Sequence, residues 1–328
     1  MSRISRRSAQ TRPLRAEAAS EAARVASARA PASDALRQSP HRSDRFEGTG
    51  RGFVPRPIAS TPKEIPSAKQ LVLREERPID VPSASGVVTL SKSRFIIVDD
   101  DMGIFHQKKE GADLLKSSKK HDMLRDLEGL CRTPDGNGVF VLSEKSGEVY
   151  RLDFEGEGKD LDLGKPVKQG RLPKLSKKDP NKGWEGIDLL PGHFFDDGKA
   201  RMVAVHEGLP KRVGVFALPD LKDGVILKLP DDVADELRDL SDIAVDPATG
   251  HVFVLSDESE TIVEMRLVTE RKSAPGALVE KTTLETVSVH DISFRGVSKP
   301  EGLDFGPDGT LWVAMDGRSM LLAFDIER

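Results

Sequence analysis

The chain has 328 residues, 37% of them hydrophobic, and a formal charge of −4; that is enough apolar material for one large domain or two ordinary ones and too little for a membrane-embedded protein. No apolar run approaches the ~18 residues needed to cross a bilayer, and the first thirty residues hold no h-region of a secretion signal. The single cysteine, Cys131, excludes an internal disulfide and a tetrahedral thiolate zinc site, which leaves metal chemistry to oxygen or imidazole ligands.

In chain order the first feature is a basic segment. Residues 1–62 carry twelve Arg, no Lys and five acids, so this part is positive and the remainder strongly negative. Ala, Ser, Pro and Arg dominate as far as residue 68, and the large apolar residues are too scattered to offset the entropy of ordering. A disordered basic tail over 1–68 is therefore expected, with a short helix plausible over 16–29 (AEAASEAARVASAR). A solvated extension is the plainest reading. An organelle transit peptide or a leader without an h-region also fits an acid-poor Arg/Ser/Ala start. Unless the tail is such an address, the compartment defaults to the cytoplasm. Nucleic-acid contact is disfavoured, because only Phe46 and Phe53 could stack on bases.

From residue 69 to 328 a pattern recurs five times. Short β-rich runs appear at 94–98 (RFIIV), 138–142 (GVFVL), 201–205 (RMVAV), 251–255 (HVFVL) and 310–314 (TLWVA). Each is apolar throughout, as expected of a strand buried on both faces. A turn rich in Gly, Pro, Asp or Ser precedes each run, and a further short strand precedes the turn, which is a hairpin signature. Third strands are predicted over 103–107, 148–154, 212–218, 261–267 and 320–326. Outer strands are predicted near 112–118, 159–167, 225–229 and 284–292.

The fifth repeat has no outer strand after residue 326, but 70–77 (QLVLREER) can supply one from the other end of the sequence. These features predict an all-β, five-bladed β-propeller whose ring is closed by an N-terminal strand, with six blades open if insertions hide a degenerate repeat.

Aligning the repeats exposes two polar columns. One lies at the start of the innermost strand: Ser85, Glu128, Glu185, Ser241-Asp242 and Glu301. The other follows the apolar run: Asp100, Glu144, Glu207, Asp257 and Asp316. In a propeller the innermost strand begins, and its antiparallel neighbour ends, on one face of the disc. Eight carboxylates, Asp100, Glu128, Glu144, Glu185, Glu207, Asp257, Glu301 and Asp316, are thus expected around one mouth of the central channel, where like charges raise one another's pKa or demand cations.

Three uses of these acids stay open. They could bond backbone N–H groups of a neighbouring blade, with Lys145, Lys211, Arg212 and Arg318 neutralising the rest. They could hold a divalent cation, for which hard oxygen ligands favour Ca²⁺, with Mg²⁺ the alternative. They could recognise an amine or basic peptide.

The openings WEGID (184–188), LEGL (127–130), DLSDIAVD (239–246) and PEGLD (300–304), paired with VAVHE (203–207), VLSE (141–144) and VLSD (254–257), resemble the SdiA-regulated (YjiK-like) β-propeller family over about residues 70–328. The resemblance implies a propeller with a cation site near the channel and names no reaction. A wider likeness links the Glu-Gly opening to Ca²⁺-dependent propeller hydrolases of the gluconolactonase, paraoxonase and phytase-like groups. In the lactonase type that Glu is a metal ligand and two partners are commonly Asn. This chain departs there, since it has only Asn137 and Asn181, both expected outside the second column.

The leading expectation is a binding or scaffold module whose acidic mouth holds a cation and receives a small molecule, a peptide or a protein partner. The alternative is a metal-dependent esterase, lactonase or phosphatase at the same mouth. His206 is a weak candidate base there. Its neighbour Glu207 would face the channel, which turns His206 between blades. His290 is expected to be structural or exposed. Trp184 and Trp312 are expected in the core, with Trp184 beside Glu185 alternatively lining the mouth. The acids 99–101 lack the alternating ligands of an EF-hand.

Overall fold

The computed structural model describes residues 68–116, 124, 126–175, 182–274, 277–294 and 297–328. The tail and helix expected over 1–67 lie outside the described residues, as does Asn181. No helix among the described residues is long and apolar enough to cross a membrane.

The described strands form five antiparallel sheets. Strand β1 (Gln70–Pro78) is discussed with the last sheet. The first blade contains β2 (Ala84–Ser91), β3 (Arg94–Asp99), β4 (Gly103–Gln107) and β5 (Ala112–Leu114). The second contains β6 (Leu127–Arg132), β7 (Gly138–Ser143), β8 (Glu148–Glu155), β9 (Asp162–Leu163) and β10 (Val167–Arg171). The third holds β11 (Trp184–Leu190), β12 (Arg201–His206), β13 (Arg212–Ala217) and β14 (Gly224–Lys228). In the fourth are β15 (Asp242–Val245), β16 (Val252–Ser256), β17 (Thr261–Ala274) and β18 (Ala277–Asp291). The fifth has β19 (Pro300–Phe305), β20 (Leu311–Met315) and β21 (Met320–Glu327), with β1 added antiparallel to β21 as its outer strand.

The architecture is a five-bladed propeller, and among the described residues there is no sixth sheet. Two strand expectations need correction. The outer strand of the second blade is split: β9 pairs with the end of β8 and β10 with its start, so the predicted 159–167 segment is mostly a connection. In the fourth blade β17 and β18 run 14 and 15 residues, because their polar Thr/Glu/Lys-rich continuation keeps pairing well beyond the other strands.

Five hydrophobic clusters sit one at each seam between blades. Ile96 and Val98 pack with Leu130, Val139 and Val141 of the second blade, whereas Phe95 and Ile97 point the other way, onto Trp312 and Ala314 of the fifth. Alternate side chains of one strand thus feed two different seams, which is why the central strands are apolar without interruption. The remaining three seams are filled in the same manner. Trp312 is buried edge-on against Phe95 at 4.8 Å, and Trp184 is buried with its indole N–H on the Pro173 carbonyl at 2.9 Å.

Candidate metal centre

The Glu-Gly opening works as a bulge. Opposite β7, β6 advances from Leu127 to Leu130 while its partner moves only from Ser143 to Val141, so β6 carries one extra residue; the same shift occurs at Trp184/Ile187, Pro300/Gly302 and Ala84/Gly86. A bulged residue leaves the ladder and its side chain is re-aimed. Glu128, Glu185, Glu301 and Ser85 are the residues so released. The glycine that follows permits neighbouring inner strands to touch: a Cβ on Gly86 would lie 2.5 Å from the Glu128 carbonyl oxygen, and one on Gly129 2.8 Å from that of Glu185. The fourth blade has no bulge, and Asp242 stands where the other blades carry glycine.

The released glutamates meet the second column in one cavity of about 310 Å³. Glu128, Glu185 and Glu301, with Ser85 and Ser241, line it from the inner strands. Asp100, Glu144, Glu207, Asp257 and Asp316 line it from the loops after the central strands. All eight acids selected from the repeat alignment are therefore neighbours. Asp239, Glu258 and Lys299 also line it and were not selected, since they fall in loops whose length varies between repeats.

Within the cavity, carboxylate oxygens of Glu128, Glu144 and Glu185 all lie within 4.8 Å of one another. Burial, reinforced by Glu144 and Asp100, pushes Glu128 up to about 8. Burial, then Glu144, Glu128 and Glu207, drives Glu185 well above the carboxylate range. Glu144 and Asp100 are raised as well, chiefly by burial. Across the cavity, burial and then Asp239 raise Asp257, whereas burial and then the charge of Asp257 raise Glu301; the Asp257 carboxyl is shared between Asp239 and Glu301.

Charge is offset in part at the rim by Lys182 on Glu207 (2.9 Å) and Lys299 on Asp316 (3.2 Å). Of the cations expected from the sequence, Lys145 pairs with Asp126 at 3.9 Å and offsets Glu144 through space, whereas Lys211 donates to the carbonyls of Leu237 and Arg238, and Arg212 to that of Lys211.

The profile of the SdiA-regulated family matches residues 83–317. The chain belongs to the SdiA-regulated family. A search of curated proteins finds no match. Among solved structures, similarity of 12% identity extends to a streptogramin B lyase (80% of this chain, 99% of that one, TM-score 0.43). It extends at 12% to a putative glucose dehydrogenase from Thermus thermophilus (78% and 100%, TM-score 0.43), and at 11% to the calcium structure of a Trichoderma reesei family AA12 carbohydrate-active enzyme (81% and 100%, TM-score 0.42).

This SdiA-regulated propeller carries a second tier of acids inside the ring. Asp188 accepts the Val245 N–H of the next blade at 2.6 Å, Asp242 accepts Leu303 N–H at 2.6 Å, and Asp304 accepts Thr89 N–H at 2.6 Å. Asp188 and Asp242 each use the other oxygen on the amide that follows them. Burial pushes Asp188 up to about 8 and Asp304 to about 7, and Asp242 well above its usual range. The structural use foreseen for the strand-start acids thus falls to Asp242 and to two aspartates three residues beyond the glutamates. A signal was present: the Asp of WEGID and of PEGLD.

His206 is buried against the edge of Trp184 at 5.3 Å, with Nδ1 3.2 Å from the Gly208 carbonyl, and burial lowers its pKa; it is not among the residues lining the cavity. His290 is buried with Nε2 on Ser288 at 2.8 Å. Asn137 lies in the hairpin turn after β6, away from the second column. Asp99, in the 99–101 run, bonds the amides of Ser83 and Met102.

Proposed function

We propose that this chain is a propeller binding or scaffold module whose channel mouth holds a divalent cation, Ca²⁺ by its donor chemistry. The carrying observation is the Glu128–Glu144–Glu185 trio, with oxygens within 4.8 Å of one another. Oxygens bound to one Ca²⁺ at about 2.3–2.6 Å lie at most about 4.6–5.2 Å apart, so the trio's spacing is compatible with a single shared ion. The donors are all hard carboxylates, burdened by mutual repulsion and burial, and Glu185 takes one weak backbone bond, from Gly183 N–H at 3.3 Å. Mg²⁺ demands a tighter octahedron and retains its waters, so it fits this open set less well.

The family membership and the acid-lined cavity support a ligand seated over the cation, either a small molecule or an extended segment of a partner. Calcium titration and metal analysis of purified protein test the reading. Stoichiometric Ca²⁺ that is lost in Glu185→Ala and in Glu128→Ala is expected; unchanged stoichiometry in both variants rules the site out.

One observation favours a second reading, a metal-dependent hydrolase. The hydrogen-bonded Asp257–Glu301 pair faces the same cavity as the trio. A cation bound at the trio supplies Lewis-acid polarisation of an ester, lactone or phosphate. The pair would hold and transfer a proton beside it. Chelator-sensitive turnover in an ester, lactone and phosphomonoester screen, lost in Asp257→Asn, would establish the enzyme. Stoichiometric metal without turnover favours the module.

A further inference from the structure

The closing blade is fastened by more than its own ladder. Beyond the β1–β21 pairing, both strands reach a single side chain of the fourth blade, Glu264, near the start of β17. Ala68, the first of the described residues, donates its amide to Glu264 Oε2 at 2.9 Å. Arg328, just past β21, places its guanidinium 3.6 Å from Glu264 Oε1 and on Asp246. His251 Nδ1–H donates to Oε1 at 2.7 Å, and Ser288 Oγ donates to Oε2 at 2.8 Å while contacting His290 Nε2.

The Glu264 side chain is fully buried, and its strand neighbours Val263 and Met265 are core residues. A well-packed apolar side chain is often as stable in such a place as an ion pair, so a buried carboxylate points to a directional task. Burial pushes its pKa upward, but the bonds from His251, Ala68 and Ser288 outweigh burial and hold it below the ordinary range.

The other end of β1 runs to the mouth. Ile79 N–H bonds the Ser319 carbonyl at 2.9 Å, Asp80 N–H the Gln107 side chain at 3.0 Å, and Ser83 N–H Asp99 at 3.1 Å; Ser83 and Ser85 then line the acidic cavity. One strand therefore connects the Glu264 contact to the mouth.

We propose that Glu264 is the latch of the ring's seam, holding the ends of both closing strands on the fourth blade, so that removing its charge frees β1 and the mouth-lining segment 79–85 ahead of the other blades. The inference does not depend on a bound cation.

Hydrogen exchange of the full chain, read by mass spectrometry, tests it. In Glu264→Gln, exchange over 69–78 and 320–327 should quicken roughly tenfold or more, the effect of losing a charge-assisted bond in a locally opening unit. Residues 79–85 should follow, while 138–143 and 201–206 keep their wild-type rates. Equal quickening in every blade, or none at the seam, overturns the proposal. Should Glu264→Gln fail to fold, Ser288→Ala, which removes one donor to Oε2 and leaves the Arg328–Asp246 pair in place, decides the matter: faster exchange confined to 69–78 and 320–327 supports the latch, and unaltered exchange there refutes it.

Discussion

The channel contains two tiers of acids that look alike by composition and behave differently. At the mouth, Glu128, Glu144 and Glu185 are crowded and raised in pKa, with Glu185 taking only a long bond from Gly183. Deeper in, Asp188, Asp242 and Asp304 are equally burdened by burial, yet each receives a 2.6 Å amide bond from the next blade. Burial and charge alone do not separate a ligand site from a structural clamp. The inventory of donors does, because an oxygen occupied by a fixed backbone amide is lost to a cation.

The largest expected effect tests that division directly. Glu185→Gln removes one charge of the trio without changing its shape, and calcium affinity should fall by about a hundredfold, in line with losing a charge-assisted ligand of about 3 kcal/mol. Asp188→Asn, one tier deeper, should leave calcium affinity within about threefold of wild type, since an amide oxygen still accepts the Val245 N–H. Isothermal titration of both variants reads the contrast. Equal losses would merge the two tiers into one site.

Stability should show the reverse order. Asp188→Ala strands the buried amide of Val245, at a cost of about 1–3 kcal/mol by denaturant unfolding. Glu185→Gln should leave the metal-free protein as stable as wild type or more so, because it relieves repulsion from Glu144, Glu128 and Glu207.

How much of this was legible follows from what repeats. The apolar strands, the ring closure by 70–77 and all eight mouth acids recur at fixed places, so alignment of the repeats within one chain exposed them. The Glu-Gly pair was visible as a motif, but its mechanism, a bulge that re-aims the glutamate while glycine admits the next strand, emerges only from the register. Asp188 and Asp304 occupy a position that is Cys131 in the second blade and Val88 in the first, and so failed to form a column. Lys182 and Lys299 escaped because loop residues have no register, and sequence proximity favoured Lys211, whose side chain settles on the Leu237 carbonyl. Glu264 was hidden for a related reason: its partners, Ala68, His251, Ser288 and Arg328, come from four different segments.

The pH profile sharpens the comparison further. A carboxyl whose folded pKa is raised binds more protons folded than unfolded, so its contribution is fully present below the unfolded pKa and is lost as pH rises through the folded value. For Asp304 at about 7 and Asp188 at about 8, metal-free protein should lose stability steadily from about pH 4 to pH 8, with Glu128 at about 8 adding to the slope. Saturating calcium should flatten only the mouth's share, leaving the deeper aspartates' slope in place. Thermal melts across pH with and without calcium measure both shares, and complete flattening by calcium would contradict two separate tiers.

The smallest effect concerns the rim. Lys182 and Lys299 hold Glu207 and Asp316 at 2.9 and 3.2 Å, and both lysines are substantially exposed. Exposed pairs contribute about 0.2–1 kcal/mol, so Lys182→Ala should barely change stability. It also deletes a positive charge that competes with a cation at the mouth, so calcium should bind roughly two- to fivefold tighter at low ionic strength. That gain should fade near 1 M salt, where screening falls to about 3 Å. The deeper tier, held by amides of the next blade, should register nothing in the same variant; a shift in the pH slope assigned to Asp188 and Asp304 would mean that the two tiers are electrostatically one.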